Sequence, residues 1–462
     1  MLNTKIIRHL KLSLCTCLIS YIQFVIGCSL VFSSILLAKL KEPTSHIKIN
    51  IEEESWIASV PILICPIGLL VIGVLADKIG RRKALQIAYI PLITSWLVLA
   101  YANSLKSIII GRIILGISLG SGLSCTYLYL GEVCPTEYRQ LSFSVATIFV
   151  GVGMMSEFIF AMFFHWQTVS MILFVISVIG CGSLFLLPET PMWLRKQGRI
   201  REAEAAKKWL CEDRTAAATV VAANTIAAAD DVVDVTRTGW RLVTEPIVWK
   251  PMLLTFTFFV CQQGSGFYVL LFYSVDMLKD SHVQWDGFTV TVFLSVARVV
   301  GSLVFSMLHH VRRKTLTVVS GCGMALSLVV IVSYIHMYRD VTDPPYGILQ
   351  IFAFIMYMFF ALLAMLPLPW IICGEIFPMS IKGTISGIIQ VFAYEIMFIV
   401  IKIYPFLVLN YGIEYVFTAF AAFSLASAFF GAFVMPETKG KSLNEILRSF
   451  ESRKKSMKNN LP

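Results

Sequence analysis

Gly73-Val74-Leu75-Ala76-Asp77-Lys78-Ile79-Gly80-Arg81-Arg82-Lys83 sits between two long apolar runs, the second beginning at Ala84. A loop this short between two membrane-length segments makes a tight hairpin. Its cations, Lys78, Arg81, Arg82 and Lys83, assign it to the cytoplasmic side of a bilayer. Asp77 closes the first run, where it can pair with those cations or with a neighbouring helix end. Gly73 and Gly80 permit close backbone approach and an unusual turn. Topology alone explains a basic inner loop; Asp, Gly and an Arg pair at this spacing point further, to an organised motif.

Composition agrees with a membrane chain. The 462 residues are 57% hydrophobic and 14% charged, with mean hydropathy +0.78, whereas about a quarter of a soluble chain is charged. The apolar runs are continuous over ~20 residues rather than alternating, which predicts helices and not a β-barrel. The net charge of +10 gathers in inner loops and the tail, so no nucleic-acid partner is expected. The Cys lie mostly inside apolar runs without paired spacing, as packing residues rather than disulfides or metal ligands. No cofactor is expected, and the first apolar run lacks a convincing cleavage site, so it reads as a retained span.

Twelve spans are predicted, near 12–38, 55–76, 84–103, 107–131, 141–165, 168–187, 251–275, 285–308, 314–335, 347–372, 383–409 and 412–435. Glu52-Glu53-Glu54, Asp276, Asp280, Asp286, Asp340 and Asp343 fall on one side of the bilayer. Lys5, Arg8, Lys11, Lys78–Lys83, Arg139, Arg312-Arg313-Lys314 and the tail fall on the other. The positive-inside rule then places both termini in the cytoplasm. The fold class is an all-α membrane protein of two six-helix halves: 1–187, a cytoplasmic linker at 188–250, a second half at 251–435, and a tail at 436–462. Within the linker, Ala203, Ala206 and Leu210 share one face of an amphipathic helix, and Thr215–Val235 is a variable connection.

The halves repeat one another. Leu308–Lys314 is a weakened echo of Gly73–Lys83. Pro188-Glu189-Thr190 after span six returns as Pro436-Glu437-Thr438 after span twelve. Glu132 with Arg139 returns as Glu375 with Lys382. Such punctuation marks internal duplication, the plan of one large transporter class. Since the echo at Leu308–Lys314 lacks the Asp and the Gly, Asp77 and Arg81 are expected to carry more of an inner latch than Arg312 and Arg313.

Gly73–Lys83, Gly111-Arg112, Tyr129-x-x-Glu132 with Arg139, Pro188–Leu194, Gln262–Gly266, Pro367-Leu368-Pro369-Trp370 with Glu375, and Pro436–Ser442 occur in order at predicted helix ends. In these the chain resembles the sugar porter family of the major facilitator superfamily. Gly374–Pro378, Phe272-Tyr273 and Thr147 look most like its insect facilitated trehalose transporter branch. The resemblance implies a plasma-membrane uniporter of a sugar such as glucose or trehalose, working by alternating access, and not an enzyme. Its partners would be a small sugar and membrane lipid.

The implied sugar contacts are Gln262, Gln263, Tyr268, Tyr273, Trp370, Thr147 and Tyr394. Amides supply donors and acceptors, and aromatic faces cover sugar C–H surface. Adjacent glutamines sit about 100° apart on a helix, and the alternative is that one or both tie neighbouring helices together. Pro367 and Pro369 break span ten at mid-membrane beside the Trp370 indole. The implied gating charges are Asp77, Arg81, Arg82, Arg112, Glu132, Arg139, Glu189, Glu375, Lys382 and Glu437, near inner helix ends and breaking on inward opening. Span one has no acid in Gly27–Ser34, where a proton-coupled member of the family carries one, which favours facilitated diffusion. Glu157, Arg298 and Glu395 are intramembrane ionisable residues and functional candidates by default, with Arg298–Glu395 a possible pair. Tyr268, Val296, Tyr394 and Leu366 depart from the family pattern and make the pocket more aromatic. A transport-deficient sensor on the same fold and a proton-coupled symporter are the alternatives.

Overall fold

The computed structural model describes residues 2–437 apart from 44, 211–244, 340, 342–344 and 378–381, together with 445 and 450. Among these residues every regular element is helical. The first group is α1 (Leu2–Leu40), α2 (Ile51–Ile79), α3 (Arg81–Ala100), α4 (Leu105–Val133), α5 (Thr136–Phe163) and α6 (Trp166–Ser183). Two short helices follow, α7 (Pro191–Lys196) and α8 (Ile200–Leu210). The second group is α9 (Pro246–Gly264), α10 (Phe267–Asp280), α11 (Gly287–Met307), α12 (Arg313–Met337), α13 (Gly347–Phe360), α14 (Pro367–Glu375), α15 (Lys382–Tyr411) and α16 (Ile413–Phe429).

Among the described residues, twelve segments are long and apolar enough to cross a membrane, as the hydropathy pattern predicts. They close because a helix satisfies its own backbone in a medium without water. On α2 the exposed Ile67, Leu70, Val71 and Val74 form one apolar stripe, the helical spacing of a lipid-facing side. The expected face of α8 is also present: Ala203, Ala206 and Leu210 are buried, and the first two pack with Trp193 and Leu194 of α7. The expected connection Thr215–Val235 lies outside the described residues.

Two of the twelve segments are each built from two helices. Span seven divides into α9 and α10 at Ser265-Gly266, where Gly266 adopts φ +81°, a conformation costly for any residue with a Cβ. Span ten divides into α13 and α14 through a π-turn at Ala361–Met365. Pro367 and Pro369 lack N–H groups, so carbonyls one turn earlier lose their helical partner.

Within the first group α2 and α3 pack on α4, and α1 packs on α5; within the second, α12 packs on α13 and α16. The groups meet along α5–α11, α2–α15 and α1–α10. One end of the bundle carries the Lys78–Lys83 hairpin and the start of α12; it is the basic end. The other carries Glu52–Glu54, Asp276 and Asp280; it is the acidic end.

Candidate functional site

The opening motif folds at the basic end around one carboxylate. Glu189 Oε1 accepts the backbone N–H of Arg81 at 2.9 Å and of Arg82 at 3.0 Å. It thereby supplies, from over a hundred residues away, the cap that the first turn of α3 lacks locally. The turn between α2 and α3 is Gly80, with φ +104°; a Cβ built there would lie 2.4 Å from Glu189 Oε2. The Arg81 side chain donates from Nε to Glu132 Oε1 at 2.8 Å and lies 3.1 Å from Asp77 Oδ1. Glu132 Oε2 also accepts Thr190 Oγ1 at 2.6 Å. Arg82 Nη1 donates to the Leu187 carbonyl at 2.8 Å, and Trp193 Nε1 to the Asp77 carbonyl at 2.9 Å.

The second group repeats this construction. Glu437 accepts the N–H groups of Arg313 at 3.3 Å and Lys314 at 3.5 Å at the start of α12. Arg313 forks onto both oxygens of Glu375, with Nη2 to Oε1 at 3.1 Å and Nη1 to Oε2. Arg313, not Arg312, is therefore the counterpart of Arg81, and Arg312 is exposed.

One of the expected gating charges, Arg112, stands elsewhere. Arg112 is not at an inner helix end. It lies seven residues into α4, which runs from the acidic to the basic end, and it is fully buried. There Nε donates to the Ile57 carbonyl at 3.1 Å, Nη2 donates to Ser33 Oγ, and the guanidinium stands 6.0 Å over the Phe32 ring. Arg139 forms no ion pair among the described residues, and its Nε is buried without a partner. The side chain of Lys382 lies outside the described residues.

At mid-bundle the two glutamines take different parts. Gln262 Nε2 donates to the Met365 carbonyl at 3.0 Å and the Leu366 carbonyl at 2.7 Å. Met365 is four residues before Pro369, so Gln262 supplies the donor that the proline withholds. Gln262 thus ties α9 to the broken span. Gln263 donates to Gln262 Oε1 at 3.3 Å and keeps its own Oε1 buried and unpartnered. Trp370 stands between Phe259 at 4.9 Å and Tyr394 at 5.5 Å, with Tyr268 beside it. Thr147 Oγ1 lies 3.4 Å from Tyr127 Oη. Tyr127, Thr147, Tyr268 and Trp370 are half-buried and converge from α4, α5, α10 and α14. Tyr273 is not with them: it is fully buried toward the acidic end, 4.8 Å from the Tyr404 ring, with its hydroxyl 3.4 Å from the Ile401 carbonyl.

The family described as "Sugar (and other) transporter" matches residues 11–450. The chain belongs to the sugar transporter family. It is 27% identical over 442 residues to a protein named facilitated trehalose transporter Tret1 from Apis mellifera ligustica, covering 94% of this chain and 86% of that one. It is 26% identical to Tret1 of Drosophila grimshawi, of which it spans about half, 47%. Among solved structures it is similar to the xylose transporter XylE of E. coli in a partially occluded inward open conformation. There the TM-score is 0.77 at 18% identity, over 94% of this chain and 99% of that one. That likeness establishes the major facilitator fold.

Ties across the middle of this sugar transporter gather at the acidic end. Lys41 Nζ lies 2.7 Å from Glu54 Oε1 of its own group and 2.9 Å from Asp276 Oδ2 of the other. Ser34 and Ser274 share a hydrogen bond of 2.9 Å. Lys402 donates to Ser55 Oγ at 2.8 Å and sits 3.7 Å over the Trp56 ring. A cleft of about 360 Å³ lies beside them, lined by Lys41, Glu54, Asp276, Asp280 and Tyr404. Of the expected sugar contacts Tyr273 lies near it, against Tyr404, while Gln262, Gln263, Trp370 and Thr147 do not line it. At the basic end Ser144 donates to Ser306 at 2.9 Å between α5 and α11. The described ion pairs at that end stay within one group.

Sequence reasoning missed Lys41, Lys402 and Tyr127. Lys41 carries no motif, and its partner Asp276 is 235 positions away. Tyr127 had one available signal, a polar aromatic inside an apolar run two residues before Tyr129. Glu395 is half-buried and, among the described residues, does not pair with Arg298.

Proposed function

We propose that this protein carries a sugar across a membrane by facilitated diffusion, exposing one mid-bundle site alternately to the two sides. Glucose and trehalose define the substrate class that the relatives' names suggest. The basic end faces the cytoplasm by the positive-inside rule, with both termini there, and the plasma membrane is the location this reading implies. The chain divides at 188–250 into two bodies that rock against each other, with the acidic end sealed and the site facing inward. The site comprises Gln263, Tyr268, Trp370, Thr147 and Tyr394 with Tyr127. Gln262 holds the broken span in shape, and Tyr273 serves the outer seal.

The observation that carries uniport is the environment of Arg112. It meets the Ser33 hydroxyl in span one and a backbone carbonyl and, among the described residues, no carboxylate that could take up and release a proton against it. The test is uptake of labelled sugars into vesicles containing the purified protein. Saturable uptake without collapse of an imposed pH gradient is expected. Binding without uptake of any sugar would overturn transport, and collapse of the gradient would overturn uniport.

One observation favours proton coupling as a second reading. Glu157 of α5 is fully buried with neither oxygen hydrogen-bonded. It lies against Cys28, whose thiol donates to the Gly153 carbonyl instead, at 3.2 Å. A carboxyl at membrane depth without a partner is the place to look for a proton carrier. Sugar-driven proton entry that disappears in Glu157→Gln would establish this second reading.

A further inference from the structure

Arg298 stands at the middle of α11 and is 5% exposed. Its Nε and Nη1 are buried and have no hydrogen-bond partner. It makes no ion pair among the described residues; the ionisable groups that face it are the phenols of Tyr268 and Tyr127, and its guanidinium stands 5.6 Å over the Phe267 ring. Tyr268 and Tyr127 are the aromatic residues that bring the two groups together at the proposed sugar site. The residue two positions earlier, Val296, is 42% exposed. Two helical steps turn the helix by about 200°, which directs Arg298 inward. Beside Arg298 is a cavity of about 10 Å³, with Ser274, Thr291 and Ser295 as its other polar walls, room for about one water.

A buried guanidinium is costly unless an anion or a full set of acceptors meets it. Arg112 shows how far this fold meets one, with Ser33, a carbonyl and an aromatic face, although its Nη1 stays without a partner. Arg298 has the aromatic face and lacks the acceptors. At the same site Tyr268 offers a neutral polyol a single hydroxyl, whereas Arg298 places a fixed cation beside it. Among the described residues none of the Arg298 guanidinium nitrogens carries a hydrogen bond, so its Nε–Nη2 edge is free to match the two oxygens of a carboxylate.

We infer that the cargo carries a carboxylate, as a sugar acid does, and that Arg298 is the residue that selects it. The inference rests on the proposed sugar-transport function. The carboxylate would sit on the Arg298 fork, with the Tyr127 and Tyr268 hydroxyls donating to its oxygens. The sugar ring would lie toward Trp370, with one hydroxyl donating to Gln263 Oε1. Uniport of such an anion moves net charge.

The test uses the full-length protein in vesicles with labelled glucuronate and labelled glucose, and binding to the detergent-solubilised protein. Glucuronate should bind about tenfold more tightly than glucose, or better. Its uptake should rise when the vesicle interior is made positive, while glucose uptake should not respond. Arg298→Gln should abolish the preference and Arg298→Lys retain part of it. Thermal unfolding of the ligand-free variants separates recognition from structure: removing an uncompensated charge should leave Arg298→Gln at least as stable as the parent, whereas a structural Arg298 predicts a lower melting temperature. Saturable glucose uptake with no preference for glucuronate would overturn the inference and leave sugar transport standing. Binding of neither solute would overturn both, and a marked loss of stability in Arg298→Gln would also overturn the selective role.

Discussion

Replacing Lys41 by Met should open the acidic end. The Lys41 ammonium is 41% exposed, while the carboxylates it holds, Glu54 and Asp276, are 9% and 12% exposed. An exposed pair contributes about 0.2–1 kcal/mol; the half-exposed cation argues for staying in that range, and the shielded acids for its upper end. Without Lys41, Glu54 and Asp276 face each other across the seam as like charges, an unfavourable effect of similar size. The sum is about 2 kcal/mol, roughly a 30-fold shift between closed and open acidic ends. Asp276→Asn removes the tie and also the repulsion, so a shift of about fivefold or less is expected. Glu54→Gln keeps the cross-seam pair and should move the balance less than about twofold. Hydrogen exchange of backbone amides at the start of α2 and the end of α10 measures this, since both segments lose cover when the seam parts. Unchanged exchange in Lys41→Met, or equal effects of Glu54→Gln and Lys41→Met, would refute the tie. Burial lowers the Lys41 pKa, but Asp276 and Glu54 more than offset it, so the pKa lies above the ordinary lysine value. A raised lysine keeps its contribution at lower pH and loses it as pH rises through the higher value. The lysine side of the tie should therefore persist unchanged to about pH 9.

Gly80→Ala should lower the melting temperature, by about 1–3 kcal/mol equivalent, because φ +104° and the Glu189 carboxylate both oppose a Cβ; a neutral substitution would refute the turn geometry. Glu189→Ala should destabilise more than Glu437→Ala, since its capping bonds of 2.9 and 3.0 Å are shorter than the 3.3 and 3.5 Å of Glu437; thermal unfolding of the two variants compares them, and the reverse order would count against unequal caps. Gln262→Ala should lower the melting temperature because it orphans two carbonyls of the broken span, whereas Gln263→Ala should leave stability nearly unchanged and weaken sugar binding several-fold; the opposite assignment would refute the division of roles.

Much of this was legible in sequence because the membrane demands it. Apolar length fixes the spans, the prolines of 367–369 announce a broken helix, and repeated punctuation announces two related groups. Residue pairing was less legible, for identifiable reasons. Arg112 was expected at an inner helix end because it sits in a familiar pairing with Gly111. The direction of α4 puts it near the opposite end, some 10 Å below the start of that helix at 1.5 Å per residue. Arg298 and Glu395 are complementary in charge, yet depth in the membrane says nothing of azimuth, and the two face different neighbours. The Leu308–Lys314 echo was legible as an echo. Its register was not, since Arg312 and Arg313 are equivalent to a charge count and only the turn before α12 distinguishes the one that meets Glu375.

The basic-end motifs were expected to hold one transport state and break in the other. In this structure each of these pairs lies within one helix group: Arg81 with Glu132, Arg313 with Glu375, and the two carboxylate caps. An interaction whose partners move together has no differential free energy between two arrangements of the groups, so it cannot by itself bias them. Such pairs bias transport only through partners they exchange when the basic ends meet. Lys41 with Asp276, Lys402 with Ser55, and Ser34 with Ser274 are different in kind. Each joins the two groups and must be lost when the acidic end opens. The duplicated motifs therefore keep each half rigid, as caps on α3 and α12 that make the helix ends move as units. The contacts that hold the acidic end closed in this structure are the unduplicated ones that no motif marks.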